Sequence, residues 1–192
     1  MNGNKIKKYI KILACASLIF NFQFSIFNSA QGQVKWHTIE EADKTKIDGK
    51  LYFIDFYTDW CGYCKKMDRE TFTDATVAKI LNKYYYPVKF NAESGKLVTW
   101  QGRQFQPAKG GRAKVHPFAV TMLGQRMGFP TFGLFKPDGT LLQAIPGYYP
   151  PKEFVVILWY FASGDCNKYS YEHYTKIFDK EIRPTMDKAL KL

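Results

Sequence analysis

The feature that most constrains the fold is a pair of cysteines, Cys61 and Cys64, placed directly after a short apolar run. The run, residues 51–57, is rich in aromatic residues and has the length of a buried strand. Helical spacing begins at Cys64, so the pair stands where a strand passes into a helix. A helix start stabilises a thiolate through its dipole and its free N–H groups. The sequence therefore predicts a pair that interconverts between dithiol and disulfide.

The two cysteines are expected to have different roles. Cys61, at the helix start, should be the more exposed sulfur and the nucleophile, while Cys64 points into the protein body and resolves the mixed disulfide. The spacing also permits a purely structural disulfide or half of a zinc site. Zinc needs four ligands, and only Cys166 and three scattered histidines remain in the mature chain. We expect no metal and no organic cofactor, because the two sulfurs hold the electrons.

The first thirty residues have the organisation of a secretory signal peptide. Lysines precede an apolar segment at residues 12–27, and small residues follow. We expect cleavage after Ala30 or Gly32, which removes the predicted signal peptide at residues 1–30. The mature protein would then be periplasmic or secreted, without a stable membrane span and in an oxidising compartment. An uncleaved membrane anchor is the alternative.

Composition and charge narrow the class of protein. Apolar residues make up 46% and charged residues 23%, which is typical of a globular domain and not of a disordered chain or a coiled coil. Four cysteines are too few for a disulfide scaffold. The net charge of +11 is not accompanied by a basic helix or a finger motif, so a nucleic-acid partner is not expected.

The rest of the chain alternates helical and strand patterns, as in a single α/β domain. Helices are predicted at 39–46, from Cys64, after Thr73 or Asp74, and at 117–123, 151–161 and 171–178. Strands are predicted at 51–57, 86–90, 97–100, 103–106, 131–135 and 141–145. We expect Cys166 to be buried and inert, and the three histidines, His37, His116 and His173, to be ordinary polar residues.

Several motifs together resemble the thioredoxin-like family. They are the strand followed by Trp60-Cys61-Gly62-Tyr63-Cys64-Lys65, with Asp55 six residues before Cys61, and then Lys89, Phe129-Pro130-Thr131 and Gly147. The stretch from Tyr57 to Asp74 is similar to the C-terminal domain of the transmembrane disulfide reductase of bacterial periplasms. The resemblance implies a thioredoxin-like fold at residues 34–192, with a central mixed β-sheet flanked by helices. An insertion at 94–128 would precede the cis-proline loop, and a helical extension would occupy 163–192.

The resemblance also implies catalytic and supporting residues. Asp55 matches the buried aspartate of thioredoxins, and burial should raise its pKa. It would then act as the general acid and base for Cys64 through water. Lys89 matches the lysine that faces this aspartate and would moderate the effect.

A substrate-binding surface is implied by the same comparison. Pro130 in cis would leave the backbone of Phe129 free to pair with an extended peptide, and Trp60 would contribute an apolar landing surface. The predicted insertion contains no acidic residue and enters this loop, so it is expected to overhang the site. Its basic residues predict a solvated face, with a docking surface for acidic partners as the alternative. The basic residues between Ser94 and Pro137 are Lys96, Arg103, Lys109, Arg112, Lys114, Arg126 and Lys136.

The function implied is thiol–disulfide exchange on envelope proteins, in the direction of disulfide reduction, with a redox partner that supplies electrons. An oxidase that donates disulfides, or an isomerase, is the alternative within this chemistry. The alternative from another class is a redox-inert binding module that uses the same fold. Gly62 and Tyr63 replace the Gly-Pro of cytosolic thioredoxins, so the redox poise does not follow from the motif alone.

Overall fold

The structure is a computed structural model that describes residues 32–45, 49–107, 115–125 and 127–192. The chain divides into two compact units, and Gln33–Leu192 is the unit described here. The predicted signal peptide at 1–30 lies outside the described residues, as do four basic residues of the predicted insertion, Lys109, Arg112, Lys114 and Arg126. No helix in the described ranges combines the length and the hydropathy that a membrane crossing requires.

A four-stranded mixed sheet lies at the centre of this unit. Its strands are β1 (Leu51–Tyr57), β2 (Tyr85–Asn91), β5 (Thr131–Phe135) and β6 (Leu141–Pro146). Their order in the sheet is β2-β1-β5-β6. The strand β1 is parallel to β2 and antiparallel to β5, which is antiparallel to β6. A separate hairpin consists of β3 (Val98–Trp100) and β4 (Arg103–Phe105). Because β1 is an inner strand, the residues that follow its carboxyl end lie near the middle of that end of the sheet.

Seven α-helices are assigned in the described residues. They are α1 (Ile39–Lys44), α2 (Gly62–Lys66), α3 (Ala75–Tyr84), α4 (Pro117–Leu123), α5 (Pro151–Ala162), α6 (Tyr171–Ile177) and α7 (Arg183–Leu190). A π-helical turn, Met67–Thr71, continues α2. Asp74 is the N-cap of α3, and its carboxylate accepts hydrogen bonds from the amides of Thr76 and Val77 at 2.9 and 3.0 Å. This confirms one of the two caps that the sequence predicted.

The alternation of side chains along β1 divides the core into two layers. Phe53 is buried on one face, beneath α3, α5 and the C-terminal helices. Ile54 and Phe56 are buried on the other face, beneath α1, the β3–β4 hairpin and α4. Helices therefore cover both faces, which confirms the predicted thioredoxin-like fold.

The described part of the predicted insertion differs from expectation because it belongs to the core. Trp100 and Phe118 are almost completely buried, and their ring centroids are 6.0 Å apart. His116 is buried and caps α4: its Nδ1 accepts a hydrogen bond from the amide of Phe118, and its Nε2 lies 2.9 Å from the carbonyl of Lys96. Burial lowers the pKa of His116, so the prediction of an ordinary polar histidine is wrong at this position. The buried residues of this segment cover the sheet, and the expectation that the segment overhangs the site stays a prediction.

The C-terminal extension also differs from expectation. The sequence predicted a last helix at 171–178, but α6 ends at Ile177 and is followed by a π-helical turn and by α7. Only Met186 and Leu190 of α7 are buried, so its apolar stripe is too narrow to stand out from the sequence. The ammonium group of Lys83 donates a hydrogen bond to the carbonyl of Ala189 at 2.8 Å, which connects α7 to the end of α3.

Candidate active site

The two cysteines lie where β1 passes into α2. The amide of Cys61 donates a hydrogen bond to the carbonyl of Thr58 at 3.1 Å, which closes the turn after the strand. Cys61 is the N-cap residue of α2, and its Sγ accepts a hydrogen bond from the amide of Cys64 at 3.0 Å. The two sulfurs form a disulfide. The sulfur of Cys61 thus occupies the position where unpaired amides at a helix start stabilise negative charge.

The exposure of the two cysteines differs from the prediction. Cys61 is 4% exposed and Cys64 is 3% exposed, so the first sulfur is hardly more accessible in the disulfide. The aromatic residues beside them are exposed instead: Trp60 is 68% exposed and Tyr63 is 63% exposed. A disulfide holds both sulfurs together at the helix start, and neither is presented to solvent separately.

Asp55 and Lys89 form a buried ion pair, as the resemblance implied. They are partners in the β1–β2 register, and the ammonium nitrogen of Lys89 lies 3.1 Å from Oδ2 of Asp55. Asp55 is 1% exposed, and its Oδ1 has no hydrogen-bond partner among the described residues. Burial raises the pKa of Asp55 to about 6, although the positive charge of Lys89 opposes this effect.

Lys89 has further partners that the sequence did not reveal. Its ammonium group also pairs with Asp68, in the π-helical turn after α2. The rings of Trp36, Tyr57 and Phe72 surround it, with centroids 5.0 to 5.5 Å from the nitrogen. In the sequence, the signal that Asp68 lies near the site was its helical spacing, four residues after Cys64. These contacts keep Lys89 at the ion pair with Asp55.

The loop before β5 lies at the same edge of the sheet as the disulfide. The Phe129–Pro130 peptide bond is cis, as predicted. Thr131, the next residue, pairs with Phe56 near the end of β1, so the loop lies beside the strand that leads to Cys61. The ring of Phe129 contacts that of Trp60 edge to face, with centroids 6.4 Å apart. The structure thus brings the predicted substrate-binding residues together with the cysteines.

The family relationship follows from comparison with known proteins. Residues 39–162 match the thioredoxin-like domain family. The chain belongs to this family. A solved structure with the same fold is a thioredoxin from Thermus thermophilus, with a TM-score of 0.50 and 19% identity over 70% of this chain and 93% of that chain.

Similar curated proteins share only short stretches with this chain. The thiol:disulfide interchange protein DsbD of Colwellia psychrerythraea is 42% identical over 43 residues, which cover 22% of this chain and 7% of the relative. The protein of the same name from Salmonella typhi is 29% identical over 86 residues, which cover 40% of this chain and 15% of the relative. The matches thus span a small part of those proteins.

Cys166 lies away from this site, in a 3₁₀ turn at Asp165–Asn167. It is half-buried rather than buried, which corrects the prediction. It is the only free cysteine in the described part of the chain. Within the same ranges, the structure shows no cluster of three or more histidine, cysteine or acidic residues that would hold a metal ion.

Proposed function

We propose that this chain is a thiol–disulfide oxidoreductase that reduces disulfides of proteins in the bacterial envelope. The observation that carries the proposal is the Cys61–Cys64 disulfide at a helix start, directly after the strand that holds the buried Asp55. The similarity to thiol:disulfide interchange proteins supports the same chemistry. The signal-peptide pattern of residues 1–30 supports the location outside the cytoplasm.

The reaction consists of two thiol–disulfide exchanges. In the reduced protein, the thiolate of Cys61 attacks one sulfur of a substrate disulfide, which forms a mixed disulfide and releases one substrate thiolate. The thiol of Cys64 then attacks the sulfur of Cys61, and its proton passes to Asp55. The second substrate thiolate leaves, the Cys61–Cys64 disulfide forms, and two electrons have passed to the substrate. A dithiol donor restores the reduced protein by the reverse exchange, so the chemistry needs no organic cofactor or metal.

The raised pKa and the burial of Asp55 suit this proton transfer. With a pKa of about 6, its carboxylate is largely ionised at neutral pH and still basic enough to accept a proton. Its unpartnered Oδ1 leaves one acceptor available to a water molecule that would carry the proton from Cys64. We assign Cys61, Cys64 and Asp55 to the chemistry, Lys89 to support of Asp55, and Trp60, Phe129 and Pro130 to substrate binding.

Measurement of the reduction potential tests the direction of exchange. No cationic side chain stands between the two cysteines, since Gly62 and Tyr63 are neutral. We therefore expect a potential near that of thioredoxin, about −270 mV, rather than near that of a strong oxidant, about −120 mV. Equilibration of the protein with glutathione buffers measures this value. A potential above about −150 mV would overturn the reductase direction in favour of an oxidase.

A further inference from the structure

Tyr63, between the two cysteines, is one of the most exposed aromatic residues next to the disulfide. Its ring lies beside that of Tyr148, with centroids 6.0 Å apart and planes tilted by 33°. Tyr148 belongs to the segment that joins β6 to α5, and its neighbour Gly147 donates an amide hydrogen bond to the carbonyl of Pro130 at 2.8 Å. The paired rings therefore lie next to both the disulfide and the cis-proline loop.

Contacts with α2 and its π-helical turn hold Tyr148 in place. The hydroxyl of Tyr148 donates to Glu70 at 2.9 Å, and the ammonium group of Lys66 lies 4.3 Å from the ring centroid. The next residue is also anchored, because the hydroxyl of Thr71 donates to the carbonyl of Tyr149 at 2.7 Å. Tyr63, Tyr148 and Lys66 thus form a braced surface, which we call the tyrosine ledge.

Charge differs on the two sides of the disulfide. On the side of the ledge, the cations Lys66 and Arg69 share the single carboxylate of Glu70, while Asp68 pairs with Lys89. On the other side, the carboxylate of Glu93 accepts a hydrogen bond from Nε1 of Trp60 at 3.0 Å, and Asp59 accepts one from Asn91. The ledge is therefore the basic side of the site, and the side of Trp60 is acidic.

The chemistry of exchange places a substrate against this surface. In the mixed disulfide, the substrate cysteine is bonded to Cys61, two residues from Tyr63. An extended peptide rises about 3.3 Å per residue, so the neighbours of that cysteine reach the ledge. The open face of Tyr63 fits an apolar or aromatic side chain, and the ammonium group of Lys66 fits a carboxylate.

We propose that the tyrosine ledge selects substrates in which an acidic residue and an aromatic or large apolar residue flank the reacting cysteine. This inference rests on the proposed function, since it concerns the same exchange reaction. The preferred partner is an extended acidic peptide segment. A basic segment meets Lys66 at short range and is disfavoured.

Peptide disulfides that differ only beside the cysteine test the proposal. The probes are symmetrical disulfides of capped peptides with Asp and Phe, Lys and Phe, or Asp and Gly next to the cysteine. Neutral hydroxyethyl disulfide reports the exchange chemistry alone. The rate constant for oxidation of the reduced protein is measured at low and at high salt. Each result is expressed as the ratio of the rate constants for two peptides with the same variant, so changes in the reactivity of Cys61 cancel.

We expect wild type to react about three- to fivefold faster with the Asp–Phe peptide than with the Lys–Phe peptide at low salt. Lys66→Glu should invert this ratio. Lys188→Glu is the matched control, because it makes the same charge change outside the site. Lys188 lies on α7 next to Ala189, whose carbonyl accepts a hydrogen bond from Lys83 at the end of α3. Tyr148→Ala should lower the preference for Phe over Gly about fivefold, while Tyr148→Phe, which keeps the ring, should retain it.

Two results would separate the two proposals. The ledge proposal alone is overturned if the protein reduces hydroxyethyl disulfide but reacts with all peptides at the same rate. It is also overturned if Lys188→Glu changes the ratios as much as Lys66→Glu does. If neither hydroxyethyl disulfide nor any peptide is reduced, the proposed function is overturned and the ledge proposal with it.

Discussion

Two cysteine environments lie at opposite ends of the central strand. Cys61 follows the carboxyl end of β1, whereas Cys166 lines a cavity that it shares with Leu51 at the amino end. Cys61 begins a helix and accepts an amide hydrogen bond at its sulfur. Burial raises the pKa of the Cys166 thiol, and the negative charge of Asp165 adds to this effect. From this comparison we expect the position of a cysteine in the fold, and not its presence, to determine whether its sulfur ionises in the reduced protein.

The surroundings of Cys166 reinforce the contrast. A second cavity of about 560 Å³ beside it is lined largely by apolar and aromatic residues, among them Ile157, Tyr160 and Phe161. The carboxylate of Asp165, the residue before Cys166, pairs with Lys168 at 3.2 Å. We therefore expect the thiol of Cys166 to stay protonated at neutral pH, while the thiolate of Cys61 is stabilised.

The largest expected effect is the trapping of substrates. Without the thiol of Cys64, the mixed disulfide on Cys61 cannot be resolved. Cys64→Ser should therefore accumulate reductant-sensitive adducts with envelope proteins, visible on non-reducing gels, and Cys61→Ser should accumulate none. Cys64→Ser combined with Cys166→Ser is the control and should trap the same proteins. Equal adducts from both single variants would contradict exchange as the function.

Alkylation of Cys61 should be much faster than alkylation of Cys166. A helix start favours the thiolate of Cys61, whereas burial raises the pKa of the half-buried Cys166 thiol and keeps it protonated at pH 7. In the reduced protein, iodoacetamide should therefore modify Cys61 before Cys166, as followed by peptide mass spectrometry across pH. Urea-unfolded protein is the control, in which the cysteines should react at similar rates. If Cys166 or Cys64 reacts first in the folded protein, our assignment of Cys61 as the nucleophile is wrong.

The burial of Asp55 should make the free energy of unfolding depend on pH. The carboxyl group of Asp55 holds its proton up to about pH 6 in the folded protein, but only up to its ordinary pKa of 3.8 when unfolded. The free energy of unfolding therefore falls as pH rises from about 4 to about 6, by up to about 3 kcal/mol, and stays lowered above pH 6. Asp55→Asn should remove this dependence. Because it also takes Asp55 away from Lys89, and loss of one partner of a buried ion pair is destabilising, we expect this cost to offset much of the gain at pH 7.

Urea unfolding at pH 4.5 and pH 7.5 measures this effect. Asp138→Asn is a useful control because a backbone hydrogen bond from Thr140 lowers the pKa of this exposed carboxyl, so its substitution should not stabilise the protein at pH 7. If wild type and Asp55→Asn lose stability equally between the two pH values, Asp55 does not have a raised pKa.

The smallest effect is expected at the other cysteine. Cys166→Ala removes a half-buried sulfur outside the site, so the free energy of unfolding should change by less than about 1 kcal/mol. The rate of disulfide exchange should be unchanged. Urea unfolding and reduction of hydroxyethyl disulfide measure the two quantities, with Cys64→Ala as the variant that must lose exchange. A large loss of exchange in Cys166→Ala would show that the two environments are coupled.

Much of the architecture was predictable because its signals are local. The strand bounds at 51–57 and 131–135 and the helix at 117–123 match the structure, since apolar runs, turn residues and an initial proline define them. The division of the chain at residues 30 and 34 and the roles of the site residues stay predictions. The narrow stripe of α7 and the burial of His116 were missed because both depend on the surfaces against which they pack.

The sequence by itself determined the cysteine pair, the strand before it and the family, because these depend on residues that are close along the chain. Only the tertiary structure decided which side chains meet at the site. It brought Asp68 to Lys89 across 21 residues and Tyr148 to Glu70 across 78 residues. It also decided that both cysteines are buried while Trp60 and Tyr63 are exposed. Contacts between distant segments form when β-strands pair and helices pack, and neither spacing nor composition encodes that geometry.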